Sequence, residues 1–366
     1  MLDERSHAPR AQKYSGISLT LRFDMINNRS FSVPITVPLP ETLPQLHEEM
    51  ARIAVSTSGW AVHNPGGREF LSKAESRSFR QRFYREFSIP KKSGGRRRIT
   101  APTGYLKGAQ KAIAVLLERL YEAPDMVNGF TGERSVQTNA EAHVGRNYVF
   151  NTDLRDFFPS ITAGMVRKTL EKEGVSPEVA RYISVVCTIT TGDGDLSEDV
   201  LPQGSPASPI LSNMVCLQMD RHLNWLARRY GLTYTRYADD ITFSSMHSVY
   251  GKNSPFLKGL KEIIEEYGFS INEEKTRLQK KGSRQEVTGL IVSDRVNVCR
   301  RYLKNLRAEV FRMEMQGFTI EQYRRVMGKI AFVGMVRGRE DPLYRKLHNR
   351  IRSIKRHPEG FLAQPR

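Results

Sequence analysis

Cysteine is scarce in this chain, and long apolar runs are missing from it. Cys187, Cys216 and Cys299 lie far apart and form no CxxC pair, which argues against a disulfide framework or a Cys-rich zinc site. No apolar stretch approaches the length of a membrane span. The N-terminus lacks the apolar segment of a signal peptide. The sequence therefore predicts a cytoplasmic protein with reduced thiols and no membrane partner.

Acidic residues are also few relative to basic ones. The chain has 57 Lys and Arg against 39 Asp and Glu, a net charge of +18. The stretch from Thr276 to Arg366 alone holds 22 basic and 8 acidic residues, a net +14. An excess placed so unevenly favours a polyanionic partner, because neutralised phosphates release counterions. A solubilising basic surface is the alternative.

The apolar pattern indicates a globular chain with several kinds of element. Alternation over Ile17–Met25 and Phe31–Val37 predicts a β-hairpin, and Leu46, Met50 and Ile53 share one face of a following helix. The stretch from Arg68 to Pro102 is basic and rich in turn residues, and a helix follows Pro102. The first sixty or so residues look like an appendage, and no motif in them indicates a chemical role.

The central and C-terminal parts alternate strands with helices. A strand is expected over Tyr148–Leu154 and a hairpin over Thr233–Ser245. Further helices are expected over Ala163–Gly174, Pro177–Cys187, Ser208–Tyr230 and Pro255–Tyr267, and short strands over Val287–Val292 and Val296–Cys299. The tail is helical, with an apolar stripe at Leu303, Leu306, Val310 and Met313 and a capping box of Thr319 and Gln322.

Three carboxylates stand where phosphoryl transfer would need them. Asp239 and Asp240 occupy the turn of the predicted hairpin, and Asp153 lies at the end of the predicted strand. Adjacent carboxylates repel each other, so such a pair has little structural value without a cation. Two divalent ions held by carboxylates neutralise charge on the attacking and leaving oxygens of a phosphoryl transfer. An Asp-Asp dipeptide alone, however, is usually no more than a turn.

A segment rich in Pro and Gly, Leu201–Pro209, lies between the carboxylates. Gly204 lets a backbone come close to a nucleotide or template, and the helix that follows offers its N-terminus to anions. A Pro-rich linker is the alternative, and it fits poorly because a long apolar helix begins at once.

The order of these motifs resembles reverse transcriptase motifs A to D. The matching segments are Asp153-x4-Phe158, Pro202–Pro206, Tyr237–Asp240 and Gly268-Phe269 to Lys275. Asn139–His143 resembles the NAxxH signature of retron reverse transcriptases, and Val287–Gly289 resembles their VTG signature. The resemblance covers the chain from about Arg68 to the C-terminus.

The resemblance implies an α/β (α+β) fold of the right-hand polymerase type. It implies fingers, a palm made of an antiparallel sheet with helices, and a helical thumb, to which this chain adds a small N-terminal β-hairpin extension. The expected divisions are residues 1–67 for the extension, 68–147 for the fingers, 148–285 for the palm, and 286–366 for primer-grip-like strands with the thumb.

The resemblance also implies roles for single residues in catalysis. Asp153 and Asp239 would bind two Mg²⁺ ions, with Asp240 completing the set and the carbonyl of Leu154 as an extra ligand. Lys275 would either donate a proton to pyrophosphate or neutralise charge. The remaining nucleotide contacts would be Phe158, a steric gate against the ribose 2′-OH, Gln203, Gly204, and Arg97 or Arg98 on the triphosphate.

A second set of residues is implied in RNA recognition. The signature motifs contribute Asn139, His143, Val287, Thr288 and Gly289, and the thumb contributes Arg301, Tyr302, Lys304 and Arg307. For His143 the residues alone leave an alternative open, because a lone histidine is more often packed and hydrogen-bonded than a ligand. For each basic thumb residue, an ordinary charged helix surface is an equally good interpretation.

The function implied is that of a retron reverse transcriptase. Such an enzyme copies part of its cognate structured non-coding RNA into branched, RNA-linked single-stranded DNA (msDNA), using a guanosine 2′-OH as primer and deoxynucleoside triphosphates as substrates. The family usually acts in anti-phage defence with a separate effector protein. One alternative is a reverse transcriptase of another clade, against which the two signature motifs count. The other is a catalytically silent RNA-binding scaffold, against which the intact Asp153, Asp239 and Asp240 count.

Overall fold

The computed structural model describes residues 39–57, 64–90, 94–192, 197–251 and 253–355. The predicted N-terminal hairpin lies outside these residues. The helices, in chain order, are α1 (Leu43–Thr57), α2 (Pro65–Lys73), α3 (Arg77–Gln81), α4 (Gly104–Glu118), α5 (Val136–Glu141), α6 (Ala163–Lys172), α7 (Pro177–Cys187), α8 (Ser208–Arg229), α9 (Pro255–Glu266), α10 (Arg300–Gln316), α11 (Ile320–Arg337) and α12 (Pro342–Lys355). None of these described helices is long and apolar enough to cross a bilayer.

The strands are short and pair antiparallel. They are β1 (Tyr84–Pro90), β2 (Arg96–Pro102), β3 (Tyr148–Asp153), β4 (Ile189–Thr191), β5 (Glu198–Val200), β6 (Thr233–Tyr237), β7 (Asp240–Ser245), β8 (Arg277–Lys280), β9 (Glu286–Val287) and β10 (Leu290–Ile291). A four-stranded sheet has the order β6-β7-β3-β8, and β1-β2, β4-β5 and β9-β10 form two-stranded pairs.

The chain divides into two compact units, and the first comprises 39–122 of the described residues with Ala163–Ile189 and Gly204–Ala207. Its helix α1 packs on α4 and α7 and buries the predicted face of Leu46, Met50 and Ile53 completely or nearly so. The stretch before Pro102, which is basic and rich in turn residues, contains regular structure that the sequence pattern did not predict. It forms the β1-β2 hairpin, in which Gly94 and Gly95 have positive φ.

The second unit comprises Ala123–Thr162, Thr190–Gln203 and the chain from Ser208 onward. Its sheet has β3 at an inner position, between β7 and β8, and Val149 and Phe150 of this strand are buried. Helix α8 packs against β6 and α9. The predicted strand at Tyr148, the hairpin at Thr233–Ser245 and the helix from Ser208 are confirmed to within one residue at each end.

The C-terminal helices α10, α11 and α12 share one apolar core. The predicted stripe supplies Leu306, Val310 and Met313, which pack with Ile330 and Ile351. The predicted capping box is present, since Thr319 and Gln322 satisfy each other's backbone N–H groups. The helical tail was therefore predicted correctly from periodicity and capping.

The strand predicted over Val287–Val292 is wrong as a single element. Thr288 and Gly289 have φ of 46° and 83°, and these left-handed residues turn the chain so that β9 and β10 pair with each other. The strand predicted over Val296–Cys299 is reduced to an isolated bridge between Ile291 and Asn297. The division into extension, fingers, palm and thumb stays a prediction.

Candidate active site

Three aspartates meet at one end of the four-stranded sheet. Strand β3 ends at Asp153, which lies opposite Asp240, the first residue of β7. The backbone N–H of Leu154 donates to the Asp239 carbonyl at 3.0 Å. Antiparallel pairing of β3 with β7 therefore brings together carboxylates that lie more than eighty positions apart in sequence.

Lys275 supplies a positive charge at the same place. It lies in a short 3₁₀ turn, Glu273–Lys275, and its Nζ is 2.7 Å from Asp153 Oδ1. The turn is tied to the strand end because the Asn272 N–H donates to the Asp153 carbonyl at 2.8 Å. Partial burial acts to lower the pKa of Lys275, but the hydrogen bond to Asp153 and the charges of Asp153, Asp239 and Asp240 together raise it above its ordinary value.

The carboxylates are crowded, and their pKa values show it. Desolvation, followed by the charge of Asp153, raises the pKa of Asp239. Desolvation and the charges of Asp239 and Asp153 raise the pKa of Asp240 to about 7, although Lys275 acts to lower it. Asp240 as a residue is exposed, so the shift reflects protein atoms and charges packed around its carboxyl group. The single cation of Lys275 does not compensate this negative charge.

The charge and chemistry of this set fit a divalent cation. Hard carboxylate oxygens are the ligands that Mg²⁺ prefers. A cation would favour the charged carboxylates against the desolvation and the mutual repulsion that raise the two pKa values. In the parts of the chain that the structure describes, no group of three or more His, Cys, Asp or Glu side chains stands arranged to hold a metal ion. Asp153 is instead engaged by Lys275.

A buried network supports the turn that carries Asp239. Ala238 has φ of 57°, a conformation that costs free energy for a residue with a Cβ. The fully buried Arg236 donates from Nη1 to the Ala238 carbonyl at 3.0 Å, and from Nε and Nη2 to both carboxylate oxygens of Asp220 at 2.8 and 2.7 Å. Sequence reasoning missed this network, because nothing in the local pattern pairs Arg236 with Asp220 of α8.

Gly129 completes the support from the other side. A Cβ built on Gly129 would lie 2.3 Å from the Ala238 nitrogen, so only glycine fits there. The Asn213 side chain holds this glycine by donating to its carbonyl at 2.9 Å, and the Arg236 Nη2 donates to the Asn213 Oδ1 at 3.2 Å. Gly129 and Arg236 are therefore coupled around one turn.

The predicted nucleotide-site residues fall into both compact units. In the unit that holds the sheet, Phe158 is half-buried with its ring 5.3 Å from that of Phe157 and 6.1 Å from that of Phe130. Gln203 also belongs to this unit and is half-buried. The site residues of this unit thus come from the four-stranded sheet and the loops next to it. They are the carboxylates Asp153, Asp239 and Asp240, together with Leu154, Phe158 and Lys275.

Gly204, Arg97 and Arg98 belong to the other unit. Gly204 has φ of 129°, and a Cβ there would lie 2.9 Å from Ile99 Cγ2 and 3.1 Å from the Thr100 carbonyl. It therefore packs on β2 just beyond Arg97 and Arg98. Arg98 Nη2 pairs with Glu86 at 2.5 Å, while Arg97 points to the opposite face of this exposed strand, because side chains alternate along a strand.

Helix α5, which carries Asn139 and Ala140 of the first signature motif, packs against β9, which ends at Val287 of the second. The Thr288 hydroxyl donates to the Val136 carbonyl at 3.0 Å, and Ala140 and Val287 belong to one buried core. His143 is fully buried, with Nδ1 and Nε2 each 2.7 Å from a hydroxyl, those of Ser244 and Thr235. Burial, with the charge of Arg146, lowers its pKa to about 3. His143 therefore bridges β6 and β7 as a neutral ring.

Burial changes how the predicted RNA contacts are to be understood. Asn139, His143 and Val287 are inaccessible to solvent, so any effect they have on RNA acts through the fold. Neither the Oδ1 nor the Nδ2 atom of the Asn139 side chain has a hydrogen-bond partner among the described residues. Tyr302 packs its ring on Phe332 and donates to the Lys329 carbonyl, whereas Arg301, Lys304 and Arg307 are exposed.

Replacing His143 by Phe is expected to lower the free energy of unfolding by roughly 1–3 kcal/mol, because the Thr235 and Ser244 hydroxyls lose their partners in a buried place. Urea unfolding of the full chain measures this. Adding Thr235→Val and Ser244→Ala to the variant removes the unpaired hydroxyls and should recover part of the loss. No recovery would contradict the assigned bridge.

The same histidine predicts a pH dependence. Its folded pKa of about 3 lies below the usual value of 6.5, so the folded protein binds fewer protons between these values. The stability contributed by neutral His143 is therefore complete above pH 6.5 and is lost as the pH falls toward 3. The His143→Phe variant should lose stability less steeply over this window, as thermal melts from pH 7 to pH 4 would show.

An antiparallel sheet with carboxylates at the end of β3 and at the β6-β7 turn is typical of one class of protein, the nucleic-acid polymerases. The family model described as "Reverse transcriptase (RNA-dependent DNA polymerase)" matches residues 89–298, more than half of the chain. The chain belongs to the reverse transcriptases and, within them, to the retron reverse transcriptases, as its relatives show.

Those relatives are similar over most of this chain. The retron Mx65 reverse transcriptase of Myxococcus xanthus is 38% identical over 272 residues, covering 70% of this chain and 62% of the relative. The retron Ec86 reverse transcriptase of Escherichia coli is 35% identical over 233 residues, covering 62% of this chain and 69% of the relative. The chain thus spans about six-tenths of the length of the Mx65 protein.

Among solved structures, telomerase from Candida albicans in complex with a fragment of telomeric RNA is similar at 12% identity. The similarity covers 75% of this chain and 56% of the telomerase chain, with a TM-score of 0.42.

Proposed function

We propose that this chain is an RNA-directed DNA polymerase whose chemistry takes place at Asp153, Asp239 and Asp240. The observation that carries the proposal is the crowding of these carboxylates at one sheet end, which leaves negative charge for a cation to balance. Asp153 and Asp239 would hold two Mg²⁺ ions, with Asp240 and the Leu154 carbonyl completing the set. Bound there, the ions neutralise charge on the attacking and leaving oxygens.

Lys275 is placed to act on the same charge. In this structure its Nζ contacts Asp153 Oδ1 at 2.7 Å, and its raised pKa keeps it protonated at neutral pH. A protonated amine there either donates its proton to the leaving pyrophosphate or offsets the charge that develops on it. The incoming triphosphate would be held by Arg97 or Arg98, with Gln203 and Gly204 lining the nucleotide site.

Phe158 would select deoxynucleotides. Its ring is held by Phe157 and Phe130, so it has little freedom to move aside for a ribose 2′-OH. Phe158→Ala is expected to raise the kcat/KM for ribonucleotides relative to deoxynucleotides by about tenfold or more, a change of roughly 1.4 kcal/mol in discrimination. Primer extension with each nucleotide class measures the ratio.

A control separates this effect from loosened packing. Phe130→Ala removes the neighbouring ring from the same cluster, and Phe130 is itself 41% exposed. If Phe130→Ala changes the ratio as much as Phe158→Ala does, the assignment of Phe158 as the gate is wrong.

We further propose that the template and primer are one structured non-coding RNA and that the product is msDNA, branched and RNA-linked. The retron relatives support this, as does the net charge of +18. A role in anti-phage defence with a separate effector protein belongs to the same proposal. Sequencing DNA covalently joined to the RNA that copurifies with the chain tests it. DNA without an RNA branch would point to a reverse transcriptase of another kind.

The exposed cations of α10 would hold this RNA. Charge reversal at Arg301, Lys304 and Arg307 is expected to weaken RNA binding and to reduce the slope of log K against log salt by roughly 2 to 3, about one unit for each phosphate no longer neutralised. Filter binding at several salt concentrations measures the slope. Reversal of three other exposed cations, Lys168, Lys258 and Lys261, should change it less, and equal changes would contradict a dedicated surface.

A further inference from the structure

The solvent side of α8 carries an unassigned basic and aromatic face. Its exposed residues recur at helical spacing on the side away from the buried core, and they are Gln218, Arg221, His222, Trp225, Arg228 and Arg229. The one acidic residue of this helix, Asp220, is fully buried and paired with Arg236. This stretch of α8 therefore presents cations and an aromatic ring to solvent, without a carboxylate of its own to balance them.

Trp225 is the centre of this face. It is 59% exposed, and the Arg229 guanidinium carbon lies 5.6 Å from the centroid of its ring. This contact belongs to an i, i+4 pair and stabilises the helix by itself. Basic residues in the last turn are also favourable at a helix C-terminus. These effects account for Arg228 and Arg229, but they do not account for Arg221 or for leaving an indole in water.

The neighbouring helix gives the contrast. On α9 the exposed charges alternate, with Lys258 and Lys261 each facing a glutamate one turn further on, Glu262 and Glu265. Such pairs are what a solvated helix surface ordinarily shows. One acidic group lies close to the α8 face. Desolvation, followed by the charge of Glu266, raises the pKa of Tyr267, whose hydroxyl is 3.2 Å from His222 Nδ1. Arg221 lies about one helical turn before Trp225, and Arg228 and Arg229 lie about one turn after it.

We propose that this face, made of Arg221, Trp225, Arg228 and Arg229, binds single-stranded nucleic acid. A base would stack on the free part of the indole, and the guanidinium groups would contact the flanking phosphates, the combination by which proteins hold single strands without reading sequence. The stretch from Arg221 to Arg229 spans roughly 12 Å of helix, enough for a short run of nucleotides. An acidic protein would use the arginines but would leave the exposed indole without a role.

This face is distinct from the catalytic end of the sheet. Asp220 contacts Arg236 near the Asp239 turn, and Trp225 lies five residues, roughly 7.5 Å of helix, further along α8. The strand held there would therefore be a part of the template or product away from the reacting nucleotide. The proposal does not depend on whether the chain synthesises DNA.

Tryptophan fluorescence gives a local test. The sequence has two tryptophans, Trp60 and Trp225, so a Trp60→Phe chain reports Trp225 alone. Titration with oligo(U) and oligo(dT) should quench this emission, and the quenching should weaken as salt is raised. The RNA and DNA arms show whether the 2′-OH matters. Arg221→Gln with Arg228→Gln should reduce the salt slope by roughly 0.7 for each phosphate no longer neutralised, whereas Lys258→Gln with Lys261→Gln should not.

Two measurements decide whether the proposal holds: the change in Trp225 emission on titration, and the affinity of the whole chain for oligonucleotides. Trp225→Ala should weaken binding of short oligonucleotides, followed by fluorescence anisotropy, at least about fivefold. It should lower the melting temperature only slightly, because the side chain is 59% exposed and the lost contact with Arg229 is a weak i, i+4 pair. The proposal is overturned if the oligonucleotides bind the chain but leave Trp225 emission unchanged. It is also overturned if poly-glutamate quenches the emission and nucleic acid does not, which would assign the face to an acidic protein.

Discussion

Asp239→Asn is expected to abolish DNA synthesis while leaving the protein folded. The change removes one of the carboxylates that would hold both metal ions, and losing several kcal/mol of charge stabilisation corresponds to at least about a thousandfold in rate. Folding should not suffer, because desolvation and the neighbouring charge of Asp153 raise the pKa of Asp239, which means that the surrounding protein disfavours its charged form. Primer extension with a defined RNA template, together with a thermal melt, measures both effects.

Asp156→Asn is the matched control. Asp156 is exposed, lies three residues after Asp153 and has φ of 42°, a conformation that Asn adopts readily. Asp156→Asn also removes one negative charge, from the loop that follows Asp153 and not from the carboxylate set, and it should leave synthesis nearly unchanged. The double variant Asp239→Asn/Asp240→Asn should be as inactive as the single one. Undiminished synthesis in that variant would refute the assigned metal site.

The second large effect concerns the fold around the turn. Arg236→Met is expected to lower the free energy of unfolding by about 3–5 kcal/mol, because it leaves the Asp220 carboxylate buried and unpaired. It also removes the donor to the Ala238 carbonyl, and this hydrogen bond helps to hold the left-handed conformation of the turn. Urea unfolding measures the first consequence and primer extension the second.

A compensated variant separates stability from positioning. Asp220→Leu, Tyr234→Phe and Arg236→Met together remove the ion pair and the tyrosine hydroxyl that donates to Asp220 at 2.6 Å. Replacing a buried ion pair by apolar residues of similar size is often neutral for stability. The triple variant should therefore regain stability yet remain impaired in synthesis. Full recovery of both would show that Arg236 serves only the core.

The sequence predicted the parts of the site that depend on local pattern. The strand expected over Tyr148–Leu154 and the hairpin expected over Thr233–Ser245 correspond to β3 and to β6-β7. They placed Asp153 at a strand end and Asp239 and Asp240 at a turn, and the structure brings these residues together. Lys275 was also predicted, although its ion pair with Asp153 was not.

What the sequence did not predict depends on distant contacts. Arg236 and Asp220 are sixteen residues apart on a strand and a helix, and no periodicity relates them. The β1-β2 hairpin was missed because β1 is almost wholly exposed and β2 begins with three consecutive arginines, so neither strand shows the sustained apolar alternation that marks a half-buried strand. The Thr288-Gly289 turn was missed because its left-handed backbone breaks an otherwise strand-like apolar run.

The packing of residues 136–143 against residues 286–291 limits how such enzymes can be recombined. Val136 of one segment accepts from Thr288 of the other, and Ala140 and Val287 share a core. A chimera whose crossover falls between them would take each half of this packed unit from a different parent. Grafts that carry residues 136–143 and 286–291 together keep the unit whole, and these two distant segments are best exchanged as one module.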